Sequence, residues 1–167
     1  WPQAALLDSD EEIALDQAFD YYDSVVNADI QRVDEKGRNP ERVKLLMKSY
    51  ARSQGTQTSL AEIVKDMVIN DQSSLDENTI NSYLDALRKI FVVEDMPAWN
   101  PNLRSKTAIR SANTRYFVDS SIATAALSVG PNDLMNDLNT LGLLFETLCV
   151  RDLRVFAQAL DGNVYHY

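Results

Sequence analysis

Four cations crowd into one stretch of the chain, Arg104, Lys106, Arg110 and Arg115, with Asp119 the sole acid between residues 96 and 130. Guanidinium and ammonium groups at that density make charge-assisted hydrogen bonds to phosphate, the contacts that dominate sequence-independent affinity for nucleic acid. A solvated loop, or a patch pairing with acids of an adjoining domain, fits the same residues. Asn78, Thr79, Asn81 and Ser82 form a second polar group whose amides and hydroxyls can reach base edges. Asp76 and Glu77 stand just before them and repel phosphate, which weakens a recognition-helix reading.

Catalytic chemistry has less to work with. Glu146 shares a helix face with Gly142 and Val150 and is the one acid worth weighing as a catalytic group; an exposed, non-catalytic glutamate fits better. The single cysteine, Cys149, lies in an apolar run and reads as an inert core thiol, and the single histidine, His166, reads as a surface residue. One Cys and one His make neither a zinc cluster nor a nucleophile–base pair. Gly37, Gly55, Gly130, Gly142 and Gly162 are too widely spaced for a phosphate-binding glycine loop. No cofactor, no metal and no enzymatic activity are therefore expected within this chain.

The net charge is −9, with ten acids against three bases in residues 1–40, so a surface wholly devoted to nucleic acid or anionic membrane is excluded. A local basic patch survives that argument. No apolar run reaches the ~18 residues of a membrane span, and a lone cysteine forms no internal disulfide. Together these predict a cytoplasmic protein, and the opening Trp1-Pro2 reads as a cut from something longer.

Few glycines and prolines, five of each in 167 residues, favour helices to position these groups. Ser9-x-x-Glu12 is a capping box that predicts a helix from about residue 10, with Ile13, Phe19, Tyr22, Val26, Ile30 and Val33 inward, as far as Gly37 and Pro40. Val43, Leu46, Met47, Tyr50 and Ala51 predict a second helix ending before Gly55. Ser59-x-x-Glu62 opens a third, with Leu60, Ile63, Val64 and Met67 on one face. Ser74-x-x-Glu77 opens a fourth, with Ile80, Tyr83, Leu84, Leu87 and Phe91 inward. The runs at 91–93 and 115–119 are strand-like and predict a small β-hairpin, with the cations in its loop. A helix over Ile122–Leu127 stops at Gly130-Pro131. A last, broadly apolar helix runs from near Asn132 to Leu160, and Val164–Tyr167 reads as the start of a strand. Three helices followed by a hairpin is the pattern of a winged helix-turn-helix.

Phe91-Val92-Val93-Glu94-Asp95-Met96-Pro97-Ala98-Trp99, then Asn102-Leu103-Arg104-Ser105-Lys106 and Arg115-Tyr116-Phe117-Val118-Asp119, resembles the C-terminal part of bacterial and archaeal AAA-superfamily ATP-binding proteins that end in a domain of unknown function. Leu141-Gly142-Leu143-Leu144-Phe145-Glu146 through Leu153-Arg154 resembles the next block of that family, and Trp1-Pro2 the end of the Gly-Gly-x-Pro element that closes its ATPase part. The resemblance implies an ATPase domain upstream, carrying ATP and Mg. It further implies a helical tail at 1–38, a winged helix at 39–118, and at 119–167 the start of a region related to the PD-(D/E)xK nucleases. Glu146 aligns with the first-helix acid of that nuclease-like fold. Asp119-Ser120-Ser121 stands where the family has an Asp-x-Gly turn, and the chain stops at Tyr167, before the strands with the remaining acids and lysine. The resulting expectation is a mostly α fold with a small β-hairpin, serving as a non-catalytic recognition or coupling module. Its partners would be the upstream ATPase domain and either DNA or a protein, with no membrane and with self-association allowed. A fragment of a metal-dependent nuclease and a purely structural interdomain or oligomer contact are the alternatives.

Overall fold

The computed structural model describes residues 11–34, 36–68, 76–100 and 112–167. Among them are α1 (Glu11–Asn27), a 3-10 turn (Asp29–Arg32), α2 (Pro40–Arg52), α3 (Leu60–Val68), α4 (Glu77–Lys89), α5 (Ser120–Leu127), α6 (Pro131–Asn136) and α7 (Leu138–Gln158). The protein is mostly helical, and no helix among the described residues is long and apolar enough to cross a membrane.

Local chemistry sets most helix starts. The Asn39 side chain accepts hydrogen bonds from the Glu41 and Arg42 amides, and Pro40 follows at the first helical position of α2, where its missing N–H costs nothing. Ser59 and Glu62 satisfy each other's amides at the start of α3, at 2.8 and 3.2 Å. The box expected at Ser74 lies outside the described residues; Asp76 caps α4, accepting from the Thr79 amide at 2.9 Å. Ser9 also lies outside them.

The core is continuous from α1 to α7. Val25, Val26 and Ile30 meet Val43, Leu46, Met47 and Tyr50 of α2, Ile63 and Met67 of α3, Ile80, Leu84 and Leu87 of α4, and Leu144 of α7. At its centre lies α5, whose Ala123, Ala125 and Ala126 let α1 and α2 pack closely against it. Small side chains there exchange apolar area for close backbone approach, so adjoining residues feel any added volume.

The predicted β-hairpin is not seen: among the described residues no strand forms. Val93 and Phe117, and Met96 and Thr114, meet as isolated antiparallel bridges. Regular pairing is broken because the apolar run 91–93 begins inside a helix terminus. Phe91 N–H reaches Arg88 C=O at 3.1 Å and Val92 N–H reaches Leu87 C=O at 2.9 Å, the paired bonds of a Schellman closure. Phe91 therefore holds the left-handed position with φ 55° and is 78% exposed, not a core residue. That position normally takes glycine, because a Cβ crowds the backbone there by ~1–2 kcal/mol. Phe91→Gly is expected to raise stability by about 1 kcal/mol, read as a higher midpoint in urea; an unchanged or lower midpoint contradicts the strain.

Other boundaries differ for equally local reasons. Ile13 is exposed, and Ala18 and Val25 take buried places on α1. The first helix ends at Asn27, and a 3-10 turn carries the chain on to Arg32. The last helix is split at Asp137, whose carboxylate accepts from the Thr140 amide (3.2 Å) and hydroxyl (2.6 Å) and so begins a new helix. Val164–Tyr167 makes one parallel bridge, between His166 and Ala98, in place of a strand.

The link between α2 and α3 joins this irregular layer. Gly55 N–H donates to Arg115 C=O at 3.0 Å and Arg115 N–H to Thr56 C=O at 2.9 Å. Segment 112–118 thus lies between residues 55–56 on one side and 92–98 on the other.

Candidate functional site

With Ile80, Tyr83, Leu84 and Leu87 buried, the helical period turns Asn78, Thr79, Asn81 and Ser82 toward the outside of α4. They face the loop before α2 across two adjoining hollows of about 510 and 240 Å³, both lined by Lys36, Arg38, Asn78 and Ser82. The loop is firmly placed. Asn39 N–H donates to the Tyr83 hydroxyl at 3.0 Å, and Gln31 exchanges two hydrogen bonds with the Arg38 backbone, at 2.6 and 2.8 Å. The Arg38 guanidinium, almost fully buried, grips Asp34 with both terminal nitrogens at 2.7 and 2.9 Å and lies 5.8 Å from the centre of the Tyr83 ring.

That grip lowers the Asp34 carboxyl to about 2. A carboxyl whose folded value lies below its unfolded value of about 3.9 adds stability above that pH and loses it as pH falls through the folded value. Acid unfolding followed by circular dichroism should therefore steepen between about pH 4 and pH 2, and Asp34→Asn should flatten that window. An equally steep variant profile would show that the pair is not linked to folding.

Two of the four α4 polar residues already have partners. The Thr79 amide and hydroxyl both bind Asp76, and the Asn81 amide nitrogen donates to Asp85 at 3.3 Å. Asn78 and Ser82 remain as the polar lining between Lys36 and Lys89, with Asp34, Asp76 and Asp85 along the same rims. A surface of mixed charge and neutral hydrogen-bonding groups suits a polar protein surface better than a phosphate backbone.

The cation cluster is divided. Arg104, Lys106 and Arg110 lie outside the described residues. Arg115 is drawn inward: its terminal nitrogen is 2.8 Å from Asp95 and its Nε donates to the Thr58 carbonyl at 3.1 Å. Asp95 also takes Arg88 at 2.7 Å and the buried Tyr50 hydroxyl. Burial, then Asp95, pushes the Tyr50 phenol well up, so it stays a donor. One nearly buried carboxylate thus joins α2, α4 and segment 112–118, and Arg115 serves the fold.

Glu146 also has a local task. Its Oε1 accepts from the Tyr116 hydroxyl at 2.5 Å, and burial followed by this carboxylate raises the Tyr116 phenol. The same oxygen would lie 3.2 Å from a Cβ at Gly55, which has φ 67°. Among the described residues no group of three His, Cys, Asp or Glu side chains is placed to hold a metal ion. Cys149 is only partly buried and lies outside the core, because the face of α7 that packs inward is the one with Leu144, Thr147 and Val150.

Sequence reasoning missed what His166 does. Its backbone bonds to Trp99 N–H at 2.6 Å and Pro97 C=O at 3.1 Å, its Nε2 reaches Ala112 C=O at 3.0 Å, and its Nδ1 meets the Gln57 amide at 3.3 Å. A ring protonated on Nε2 satisfies both side-chain contacts. The Trp99 and Tyr165 rings stack alongside, 5.5 Å apart. His166 therefore ties Trp99 to Ala112, and no periodicity marks a contact of that span.

Residues 1–133 match the family described as Domain of unknown function (DUF8612), so α7 falls outside the matched part. No curated protein and no solved structure matches the chain.

Proposed function

The chain belongs to the DUF8612 family of domains of unknown function, and we propose that it is a non-catalytic recognition and coupling module built on a winged helix-turn-helix. One observation carries the reading. After α2, α3 and α4, segment 112–118 lies between residues 55–56 and residues 92–98, joined by Gly55–Arg115 and Glu94–Tyr116 backbone bonds of 3.0 and 2.9 Å. Three helices with that pairing order are what a winged helix requires. In this reading residues 101–111 are its wing.

The wing, with Arg104, Lys106 and Arg110, is the contact to a nucleic-acid backbone. The helix α4 is not, since Asp76, Glu77 and Asp85 lie along its exposed side. Binding is weak and sequence-tolerant, and the resemblance to AAA-superfamily ATP-binding proteins makes an upstream ATP- and Mg-dependent domain the recipient of the signal.

Fluorescence anisotropy with a labelled duplex at low and moderate salt tests this. Arg104→Ala, Lys106→Ala and Arg110→Ala together should abolish binding, and each phosphate contact removed should flatten the log-affinity against log-salt slope by roughly 0.9. Arg115 is left native because its loss would disturb the fold. Unchanged affinity and slope in the triple variant, or no binding by the native chain at low salt, refutes the wing contact.

A further inference from the structure

We infer that the outer face of α7 is a self-association surface on which a second copy of this chain packs antiparallel, its two-fold axis passing beside Cys149. The inference goes beyond the recognition reading and does not depend on it. The inner face of α7 is fixed to its own chain by Leu144, by the Thr147 hydroxyl on Gln54 at 2.9 Å, and by Arg151 on Asp119 at 2.7 Å. The opposite face carries Leu138, Phe145, Leu153 and Phe156, with Leu160 in the turn just past the helix end, each between 54% and 83% exposed. Scattered single apolar residues are ordinary on a surface; a continuous row of them is not.

The row has a definite register. Leu138, Gly142, Phe145, Cys149, Leu153, Phe156 and Leu160 follow one another at steps of four, three, four, four, three and four residues. At about 100° per residue the six that lie within α7 fall within about 40° of Cys149, on a stripe nearly parallel to the axis, and Leu160 follows just past the helix end. Two runs of eleven residues keep such a stripe straight enough for helices to pair along their length.

The steps read the same in both directions from Cys149, which selects the antiparallel two-fold arrangement. Leu138 then meets Leu160 of the second copy, Phe145 meets Leu153, and Cys149 meets Cys149. Phe156 falls opposite Gly142, where no atom lies within 4 Å of the place a Cβ would occupy. Large thus faces small, as close packing asks. The acids bordering the stripe are satisfied on their own chain, Glu146 by Tyr116 at 2.5 Å and Asp152 by Arg151 at 2.8 Å, so pairing strands no charge.

The area suffices as well. Aromatic side chains bury roughly 150–250 Å² each when fully covered and leucines somewhat less, so these two phenylalanines and three leucines, about two-thirds exposed, offer on the order of 600 Å² per copy. Two copies reach roughly 1,200 Å², the lower bound for specific interfaces.

Light scattering on the 167-residue chain at roughly 50 µM should give twice the 18.8 kDa of one copy. Phe145→Glu with Phe156→Glu should raise the dissociation constant at least about 100-fold with an unchanged helical circular-dichroism signal, since both side chains are solvent-facing in the monomer. Mild oxidation should link native copies through Cys149 and fail in Cys149→Ser. In that serine background, Leu138→Cys mixed with Leu160→Cys should cross-link to each other, whereas Leu138→Cys alone should not link to itself. A species of 18.8 kDa at roughly 50 µM, even one that binds phosphatidylcholine vesicles, overturns the inference. So does a dimer indifferent to the two glutamates, or self-linking of Leu138→Cys.

Discussion

Asp95→Ala is expected to lower the unfolding free energy by about 3–5 kcal/mol, the usual cost of removing one member of a buried charged cluster. The Asp95 side chain is 7% exposed and receives Arg88, Arg115 and the Tyr50 hydroxyl. Without it, two guanidinium groups lose their shared counter-charge, Arg88 keeping only Asp85, and the core hydroxyl of Tyr50 is left with the Tyr116 carbonyl at 3.4 Å. Weakening that hydroxyl's hydrogen bonding alone costs up to about 1–3 kcal/mol. Replacing Arg115 by Met in the Asp95→Ala background should recover part of the loss, because it withdraws one of the stranded charges. Urea unfolding of both variants decides the matter: a loss under about 1 kcal/mol for Asp95→Ala would mean that water and rearranged side chains replace the carboxylate freely.

Phe117→Ala should cost a comparable amount, about 3–5 kcal/mol. Phe117 is fully buried and packs T-shaped with the Tyr50 ring, centroids 5.2 Å apart and planes at 89°, where segment 112–118 enters the core. Truncation leaves a cavity walled by helices that cannot close on it, and the aromatic contact is lost too. Phe91→Ala is the comparison, because it trims a solvent-facing ring and should change stability by no more than about 0.5 kcal/mol. Similar losses for the two would contradict the burial assigned to them.

These two phenylalanines show where reading the chain alone stops. Both sit in strand-like apolar runs, and only the helix terminus at Lys89 decides that Phe91 turns outward. The stripe Val43, Leu46, Met47, Tyr50 and Ala51 could be read directly and is buried throughout, since α2 repeats one period between an asparagine cap and a glycine. The outward placement of the four polar residues of α4 follows from its period in the same way. Arg115 could be recognised as a cation but not as a spent one, because its partner Asp95 lies twenty residues away and a sequence displays charge without its pairing. Asp137 illustrates a different limit. An aspartate inside an apolar helical pattern reads as a solvated residue until its own backbone leaves the helix and its carboxylate caps the next one. Gly55, His166 and Gln57 were silent for the same reason as Arg115: their contacts depend on chain segments brought together only by the finished fold.

The position of α5 also bears on synthesis. The helix that covers α1 is encoded about a hundred residues after it, so on a ribosome adding roughly 5–20 residues per second the apolar side of α1 waits on the order of 5–20 s for its cover. During that interval Val25 and Val26 have only the elements made before α5, and whatever the nascent chain meets outside the exit tunnel, for cover. A chaperone that holds short apolar helices would find its substrate in that window and lose it once Ala123 and Ala126 emerge.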